Sequence, residues 1–269
     1  MEKIVFAEGW RKYFLQAGFE SFEDFFNASG KQVNKNKKRD VQFFTLGKET
    51  AAQQTFFMKR FFKPYFKDML FTFFNFGRIC SQSKCEWNNA NILLKNGIDT
   101  YRPVCYGERT ILGIERESFF ITKKLQGVCL TDFLAEKWNR MDDKAKNNLM
   151  AALGKFFSKI HNAAISMQDL YVWHIFLTEQ IEVNNLPKYD FAVIDLHRMK
   201  NNVRNKGEYL ENLGRFHHSM TDNYFDENNR KFLIRSYGGE SSESDIQALI
   251  NKVENLSMKV SAKRKPKPY

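Results

Sequence analysis

Two stretches of sequence decide the fold, IHNAAISMQDLYVWHIFL at residues 160–177 and FAVIDLHR at residues 191–198. The first stretch begins at the end of a helix-like pattern over residues 142–161. Five apolar side chains fall on one face of this predicted helix: Leu149, Leu153, Phe156, Phe157 and Ile160. A short turn separates the helix from Asp169. The second stretch opens with a short apolar strand, 191–194, that ends at Asp195.

The N-terminal half of the chain has a different pattern. Residues 41–45 and 55–61 are rich in β-branched and aromatic side chains and predict antiparallel strands, and 111–115 and 118–125 predict two more. Helical spacing over 81–95 stops at Asn96-Gly97, which is a good C-terminal signal. Gly127 then breaks the pattern. We therefore predict a strand-rich first half with one helix, followed by a mainly helical second half.

Charge and composition limit the partners. The 269 residues carry a net charge of +11 and include 27 phenylalanines. This basic excess favours an anionic partner, and a nucleotide, a phosphorylated glycolipid, an anionic membrane face or a nucleic acid would each satisfy it. The basic residues are scattered, and no zinc or RNA-reading motif is present, so we expect no nucleic acid. The four cysteines form no Cys-x-x-Cys pair and no long apolar leader opens the sequence, so we expect a cytoplasmic protein with free thiols.

Phosphoryl transfer asks little covalent work of a protein. It needs a cation on the nucleotide phosphates, a carboxylate on the metal and a carboxylate near the attacking hydroxyl. A kinase-like chain therefore carries a strand lysine, a helix glutamate, a loop aspartate and a later strand-end aspartate, in that order. This chain contains all four: Lys59, Glu86, Asp169 and Asp195. Each residue alone indicates little, but their order and matching secondary structure indicate a phosphotransferase.

The same residues resemble a known family. Residues 160–177 and 193–198, with Glu86-Trp87, 96–100 and 213–216, strongly resemble the lipopolysaccharide core kinases of the Kdo/WaaP family. The resemblance covers roughly residues 26–237, and Asp-Leu-His-Arg at 195–198 favours the heptose-kinase branch. It implies an α+β, protein-kinase-like fold with a small antiparallel-sheet N-lobe carrying one helix and a larger, mainly helical C-lobe. It also implies an enzyme that uses ATP and Mg²⁺ to phosphorylate a sugar hydroxyl of the lipopolysaccharide inner core. A heptose is the favoured acceptor sugar, and Kdo is the second candidate.

The resemblance implies a role for each matching residue. Asp169 resembles the catalytic aspartate that accepts the hydroxyl proton, and Asp195 resembles the aspartate that binds magnesium between the phosphates. Four residues are implied to bind the nucleotide: Lys59, Glu86, Gly30 and Lys31. The lysine and glutamate would form an ion pair on the phosphates. The glycine, between Ser29 and Lys31, is the best candidate for the turn that covers them.

Three features depart from protein kinases. His174 stands five residues after the catalytic aspartate, where protein kinases place a metal-binding asparagine. Because magnesium prefers oxygen ligands, we expect His174 to hydrogen-bond near the site, or only one magnesium to bind tightly. Met167-Gln168 replaces the His-Arg that usually precedes the catalytic aspartate. Leu196-His197 replaces Phe-Gly, which suggests that the in/out switch of that segment is absent.

These inferences divide the chain into three parts. We predict an N-terminal nucleotide-binding lobe at 1–125, a helical catalytic and acceptor lobe at 126–258, and a basic disordered tail at 259–269. Residues 56–78 mix basic and aromatic side chains, which either fill the core of the small lobe or face an anionic inner-membrane surface. The second reading would place the protein on the inner face of the cytoplasmic membrane.

Two other functions fit the same residues. The fold could serve a different acceptor, such as another sugar, an aminoglycoside-like molecule or a protein side chain. A degenerate kinase-like module could also bind nucleotide or lipid without catalysis. The presence of both Asp169 and Asp195 argues against the degenerate module, because a decayed site has no chemical need to keep both.

Overall fold

In a computed structural model, the protein is described at residues 1–47, 53–64, 66–183, 186–265 and 267–269. The chain divides into two compact units, Met1–Leu125 and Gln126–Tyr269. No helix within the described ranges combines the length and the apolar character that a bilayer crossing demands.

The N-terminal unit is built on a six-stranded sheet in which every neighbouring pair of strands is antiparallel. In chain order the strands are β1 (Glu2–Phe6), β2 (Lys31–Lys35), β3 (Arg39–Leu46), β4 (Gln54–Phe62), β5 (Pro103–Ile111) and β6 (Ile114–Lys123). Their order across the sheet is β1-β5-β6-β4-β3-β2. The helices are α1 (Trp10–Gln16), α2 (Phe22–Phe26), α3 (Phe66–Phe76) and α4 (Gln82–Lys95).

An aromatic cluster fills one face of this sheet and accounts for much of the phenylalanine content. The Phe25 ring of α2 lies 5.2 Å from the Phe14 ring of α1 and 5.1 Å from the Phe119 ring of β6. Such ring pairs stabilise a core by about 0.5–1.5 kcal/mol each beyond the area that they bury. Gly107 of β5 makes this packing feasible, since a Cβ there would stand 2.2 Å from the Phe119 ring. The α1 and α2 helices thus cover the sheet with aromatic side chains.

The structure differs from the sequence prediction at two places in this unit. The strand predicted at 111–115 is wrong, because β5 ends at Ile111 and β6 begins at Ile114. Leu112 (φ 49°) and Gly113 (φ 75°) form the two-residue turn between them, and Leu112 is 97% exposed. Two positive φ angles are typical of a type I′ hairpin turn, which usually carries Asn-Gly. With the apolar Leu112 in place of asparagine, the sequence carries no signal for this turn. The unit also has more than the one helix expected, since α1, α2 and α3 precede α4.

The C-terminal unit is mainly helical, as predicted. Its helices are α5 (Leu130–Lys137), α6 (Asp143–Asn162), α7 (Lys206–Ser219), α8 (Glu227–Gly238) and α9 (Glu243–Ser261), with short 3-10 turns at Trp138–Arg140 and Val172–His174. Its strands are β7 (Val128–Cys129), β8 (Ser166–Met167), β9 (Ile175–Val183), β10 (Leu186–Val193) and β11 (Met199–Lys200). They form two small antiparallel sheets, β10-β9-β7 and β11-β8.

The helix predicted from the opening stretch is confirmed as α6. Its five predicted apolar side chains are all buried. The side chain of Asp142 caps the helix by accepting a hydrogen bond from the backbone N–H of Ala145. On the same helix Gly154 lies against the backbone of α8, where a Cβ would stand 2.5 Å from the carbonyl oxygen of Leu233. The two helices therefore pack at a distance that only glycine allows.

The structure also departs from the prediction of a disordered tail at 259–269. The α9 helix continues to Ser261. The Tyr269 hydroxyl donates to the Ser219 carbonyl at 2.7 Å, and its ring stacks 5.8 Å from the Tyr224 ring. A lysine- and proline-rich composition predicts disorder, but it carries no information about a single aromatic side chain that finds a partner on the folded unit.

Gly154→Ala should destabilise the C-terminal unit although alanine is the better helix former. The added methyl group would overlap the α8 backbone, and overpacking of this kind costs about 1–3 kcal/mol, more than the ~1 kcal/mol gained in helix propensity. Urea unfolding would measure the change. Lys155→Ala, at the neighbouring exposed position, is the matched control and should change stability by less than about 0.5 kcal/mol. Equal stability of the two variants would contradict the packing described for α6 and α8.

Candidate functional site

In the N-terminal unit, β4 and α4 bring Lys59 and Glu86 together. Strand alternation buries Met58 in the aromatic core and directs Lys59 to the other face of the sheet. There the Lys59 Nζ lies 2.7 Å from Glu86 Oε1 and 2.9 Å from Oε2. The Tyr101 hydroxyl donates to the same carboxylate at 3.0 Å. Glu86 is fully buried, whereas the lysine side chain is 16% exposed.

This burial has an energetic consequence. A carboxylate without contact with water is tolerated only where cations and hydrogen-bond donors replace its hydration. The Lys59 ammonium and the Tyr101 hydroxyl supply that replacement for Glu86. The ion pair therefore fixes the lysine at one place on the sheet, with part of its side chain accessible to a ligand.

The structure places Gly30 and Lys31 differently from the predicted turn. Gly30 precedes β2 and packs against β3, where a Cβ would stand 2.5 Å from the Phe43 carbonyl oxygen. The Lys31 Nζ lies 5.9 Å from the centre of the Phe43 ring. The turn between β2 and β3 comes later, at residues 36–38, where the Asn36 side chain accepts from the backbone N–H of Lys38 at 2.9 Å. Sequence analysis missed this basic hairpin turn, although the run of lysines signalled it.

In the C-terminal unit, a hydrogen-bonded frame holds the loop that carries Asp169. The Asn212 Oδ1 of α7 accepts from the backbone N–H of Met167 at 2.6 Å and from the Ser166 hydroxyl at 3.1 Å. The His174 Nδ1 lies 2.7 Å from the carbonyl oxygen of Asp169. A carbonyl only accepts, so Nδ1 must carry the proton. His174 thus hydrogen-bonds within the loop, as expected, and only its Nε2 is left for any other partner.

Asp195 follows β10 in an unusual backbone conformation. Its φ of 62° lies in the left-handed region, which aspartate tolerates better than most residues. Its Oδ1 lies 3.0 Å from the His197 Nδ1, and its Oδ2 lies 3.8 Å from the His174 Nε2. Two imidazole rings therefore flank the carboxylate. Non-glycine residues with positive φ are concentrated at functional sites, where contacts with the surrounding structure maintain the strained backbone.

Arg198 makes the strongest contact with Asp169. Its Nε donates to Asp169 Oδ2 at 2.7 Å, and its Nη2 donates to Oδ1. These bonds raise the pKa of the guanidinium. His197 lies beside them, with its Nε2 3.9 Å from Asp169 Oδ2. Sequence analysis gave neither His197 nor Arg198 a role, although both stand in the Asp-Leu-His-Arg stretch.

The Asp195 carboxylate is a donor of the kind that a magnesium ion prefers. Magnesium keeps several waters and commonly binds through one or two carboxylates and the phosphates of a substrate. Asp195 offers such a carboxylate, and its side chain is 18% exposed. The neighbouring imidazole nitrogens are poor magnesium ligands. Among the residues predicted for the site, the structure thus pairs Lys59 with Glu86 in one unit and groups Asp169, His174 and Asp195 in the other.

Comparisons with known proteins agree with this architecture. The sequence profile of the lipopolysaccharide kinase (Kdo/WaaP) family matches residues 23–237. A solved structure of WaaP in complex with acyl carrier protein superimposes with a TM-score of 0.69 at 21% identity, over 94% of this chain and 99% of that chain. The likeness confirms the predicted protein-kinase-like α+β fold.

Two curated relatives are lipopolysaccharide core heptose(I) kinases WaaP of Escherichia coli. The relative from strain K12 is 33% identical over 116 residues, which are 42% of this chain and 43% of that protein. The second is 26% identical over 205 residues, which are 75% of this chain and 72% of that protein. The first match thus spans less than half of the relative, and the second spans almost three quarters.

Lys59→Met should destabilise the N-terminal unit strongly, because it leaves the buried Glu86 carboxylate without its cation. Removing one partner of a buried pair costs about 3–5 kcal/mol, whereas replacing both by apolar side chains is often neutral. The double variant Lys59→Met/Glu86→Leu should therefore recover most of the loss in urea unfolding. Lys31→Met, an exposed lysine of β2, is the control. A cost for Lys59→Met no larger than that of the control would contradict the buried pair.

Proposed function

This chain belongs to the lipopolysaccharide kinase (Kdo/WaaP) family, and we propose that it transfers the γ-phosphoryl group of ATP to a heptose hydroxyl of the lipopolysaccharide inner core. One observation carries the proposal: Asp169 and Asp195, the two carboxylates that the reaction needs, are held in one ordered group of side chains. Chain order and local geometry both support separate tasks for the two.

The N-terminal unit would bind the nucleotide phosphates. The Lys59 ammonium, held by Glu86, is a fixed cation of the kind that such phosphates require. The hairpin turn at 36–38 would cover them, because the basic side chains that it carries suit an anion. Gly30 and Lys31 would support this hairpin at the start of β2. The fixed Lys59 ammonium together with the exposed Lys35 and Lys37 suits a polyphosphate.

The C-terminal unit would carry the chemistry. Asp195 would hold a magnesium ion, which supplies charge neutralisation at the phosphates when bound. Asp169 would orient the acceptor hydroxyl and accept its proton as the phosphoryl group transfers in line. His174, through its bond to the Asp169 carbonyl, would keep the loop in place. None of these tasks requires a covalent intermediate on the protein.

The acceptor is proposed from the names of relatives and from charge. The two curated relatives are named for heptose(I) phosphorylation, and the net charge of +11 suits an anionic glycolipid. Kdo is the alternative sugar, and another small molecule or a protein would be the alternative acceptor. A non-catalytic nucleotide- or lipid-binding module is the alternative without chemistry.

Asp169→Asn and Asp195→Asn should each lower turnover by about 10²-fold or more, since general-base and electrostatic contributions are of this size. Asparagine keeps the shape of both side chains and tolerates the left-handed backbone at 195, so both variants should fold. Asp190→Asn, on a half-buried acid of β10 that pairs with Lys188, is the matched control.

Mass spectrometry of the inner-core oligosaccharide gives the readout. Cells with the native protein or the control variant should carry one phosphate on a core sugar that cells with either site variant lack. An unchanged phosphate content in cells without this protein would refute the proposed acceptor. Full activity of either site variant would refute the assignment of the two aspartates.

We further propose that the protein binds the inner face of the cytoplasmic membrane through the outer face of α3. Residues 56–78 divide into two groups. Phe56, Met58, Phe61 and Met69 are core, whereas Leu70, Phe73 and Phe74 are exposed, with Phe74 at 83%. Exposed aromatic side chains on a strongly basic protein suit an anionic lipid surface, where apolar side chains enter the acyl boundary and cations meet phosphates.

Flotation with phosphatidylglycerol vesicles at low salt should recover the native protein, and neutral vesicles should recover much less. Phe73→Ser/Phe74→Ser should weaken binding ~10-fold or more, because each buried phenylalanine contributes about 1.5–3 kcal/mol. Met258→Ser, an exposed apolar residue of α9, should have no effect. No recovery with anionic vesicles would refute the membrane surface. Weakened binding of acyl carrier protein, the partner in the solved WaaP structure, by the same two substitutions would assign this face to a protein partner instead.

A further inference from the structure

The ion pair between Arg198 and Asp169 is asymmetric in its exposure to solvent. The Asp169 side chain is 7% exposed, whereas the Arg198 side chain is 48% exposed. An arginine needed only to orient a buried carboxylate gains from being buried with it, because water weakens the pair. Arg198 instead keeps about half of its surface available beside the proposed catalytic carboxylate. This exposure requires a separate explanation.

The hydrogen-bond geometry shows which part of the guanidinium is available. A guanidinium carries five N–H groups in one plane. Arg198 uses one edge, formed by Nε and Nη2, on the two oxygens of Asp169. Within the described residues, Nη1 donates no hydrogen bond to any acceptor. The second edge, between Nη1 and Nη2, therefore has the spacing and direction to bind a carboxylate or a phosphate through two parallel bonds.

The same pair leaves Asp169 able to act on a hydroxyl. Each carboxylate oxygen has two lone pairs, and the bonds from Arg198 occupy one on each oxygen. A hydroxyl that approaches Asp169 must therefore come close to the guanidinium. The acceptor is the only reactant whose hydroxyl meets this carboxylate under the proposed function. Its neighbouring substituents would then lie at the second edge of Arg198.

We propose that Arg198 selects the acceptor by charge: one edge of its guanidinium holds Asp169, and the other binds an oxyanion that the acceptor carries near its reactive hydroxyl. The inference rests on the proposed function, since it concerns the acceptor of the same site. It narrows the acceptor to a core oligosaccharide in which a carboxylate or a phosphate lies close to the sugar hydroxyl that is phosphorylated. A lysine at 198 could supply charge but not two edges.

The test uses core oligosaccharide purified from cells that lack this protein, in three forms: untreated, methyl-esterified at its carboxylates, and phosphatase-treated. Calorimetry gives the affinity of each form, and steady-state kinetics with ATP gives turnover and both KM values. The proteins are the native chain, Arg198→Met and Arg198→Lys. The control is Arg235→Met, because Arg235 is 45% exposed and also pairs with a carboxylate, its Nη1 donating to both oxygens of Glu243.

We expect Arg198→Met to weaken binding of the untreated oligosaccharide by about 10- to 100-fold, the usual effect of losing charge-assisted hydrogen bonds. The KM for ATP should stay within about twofold, as expected for a contact made only with the acceptor. Removing the recognised anion from the oligosaccharide should weaken its binding to the native protein by the same factor. The same treatment should not change its binding to Arg198→Met. The treatment that has this effect, esterification or dephosphorylation, identifies the anion. Arg198→Lys should recover part of the affinity, and Arg235→Met should behave as native.

If the losses of affinity caused by Arg198→Met and by the chemical treatment add together when combined, Arg198 and the anion act independently and the inference is wrong. Unchanged acceptor affinity in Arg198→Met with a fall in kcat alone would also overturn it, because Arg198 would then only position Asp169. If Arg198→Met unfolds under the assay conditions, Arg198→Lys still tests the inference, because it keeps the positive charge. Binding that depends on Arg198 without phosphate transfer would refute the proposed function and leave this inference standing. Absence of both binding and transfer by the native protein would refute both.

Discussion

The removal of carboxylates from water is the constraint on which much of this structure depends. A buried carboxylate is stable only with cations or several donors around it. Lys59 forms an ion pair with Glu86, and Arg198 forms an ion pair with Asp169. Among the described residues no cation pairs with Glu115: a hydroxyl and the first N–H of α4 bind it, and burial raises its pKa to about 7. The ion pairs thus fix the positions of the side chains proposed for phosphate binding and catalysis.

The local features that sequence reasoning predicted are those that depend on short-range patterns. The apolar face of α6, the alternation that separates Met58 from Lys59, and the end of α4 at Asn96 follow from periodicities of 3.6 and 2 and from a stop signal. Such patterns involve residues of one element only, so they can be recognised without knowing how the elements pack together. The mainly helical second half and the antiparallel first half followed from the same rules.

The features that sequence reasoning missed depend on contacts between distant parts of the chain or on rare local choices. Asn212 supports the strand before Asp169 from a helix more than forty residues later. Leu112 occupies a hairpin turn where Asn or Gly is usual. Gly30 was the candidate for the turn that covers the phosphates, but its lack of a Cβ serves close packing against β3. No periodicity encodes such contacts, because each depends on where a second element comes to lie.

The segment 195–198 shows why one short motif can specify two functional positions. Asp195 enters it in a left-handed conformation, and a hydrogen bond from the Met199 N–H to the Leu196 carbonyl closes the turn. Pairing of β11 with β8 then returns the chain to the strand before Asp169, which places Arg198 on that carboxylate. His197 lies between the two aspartates, bonded to Asp195. The geometry that relates the two carboxylates is therefore set by a tight turn of four residues and a two-residue strand pair. A change of length in this turn would move both functional groups together, which is why the motif carries more information about the site than either aspartate alone.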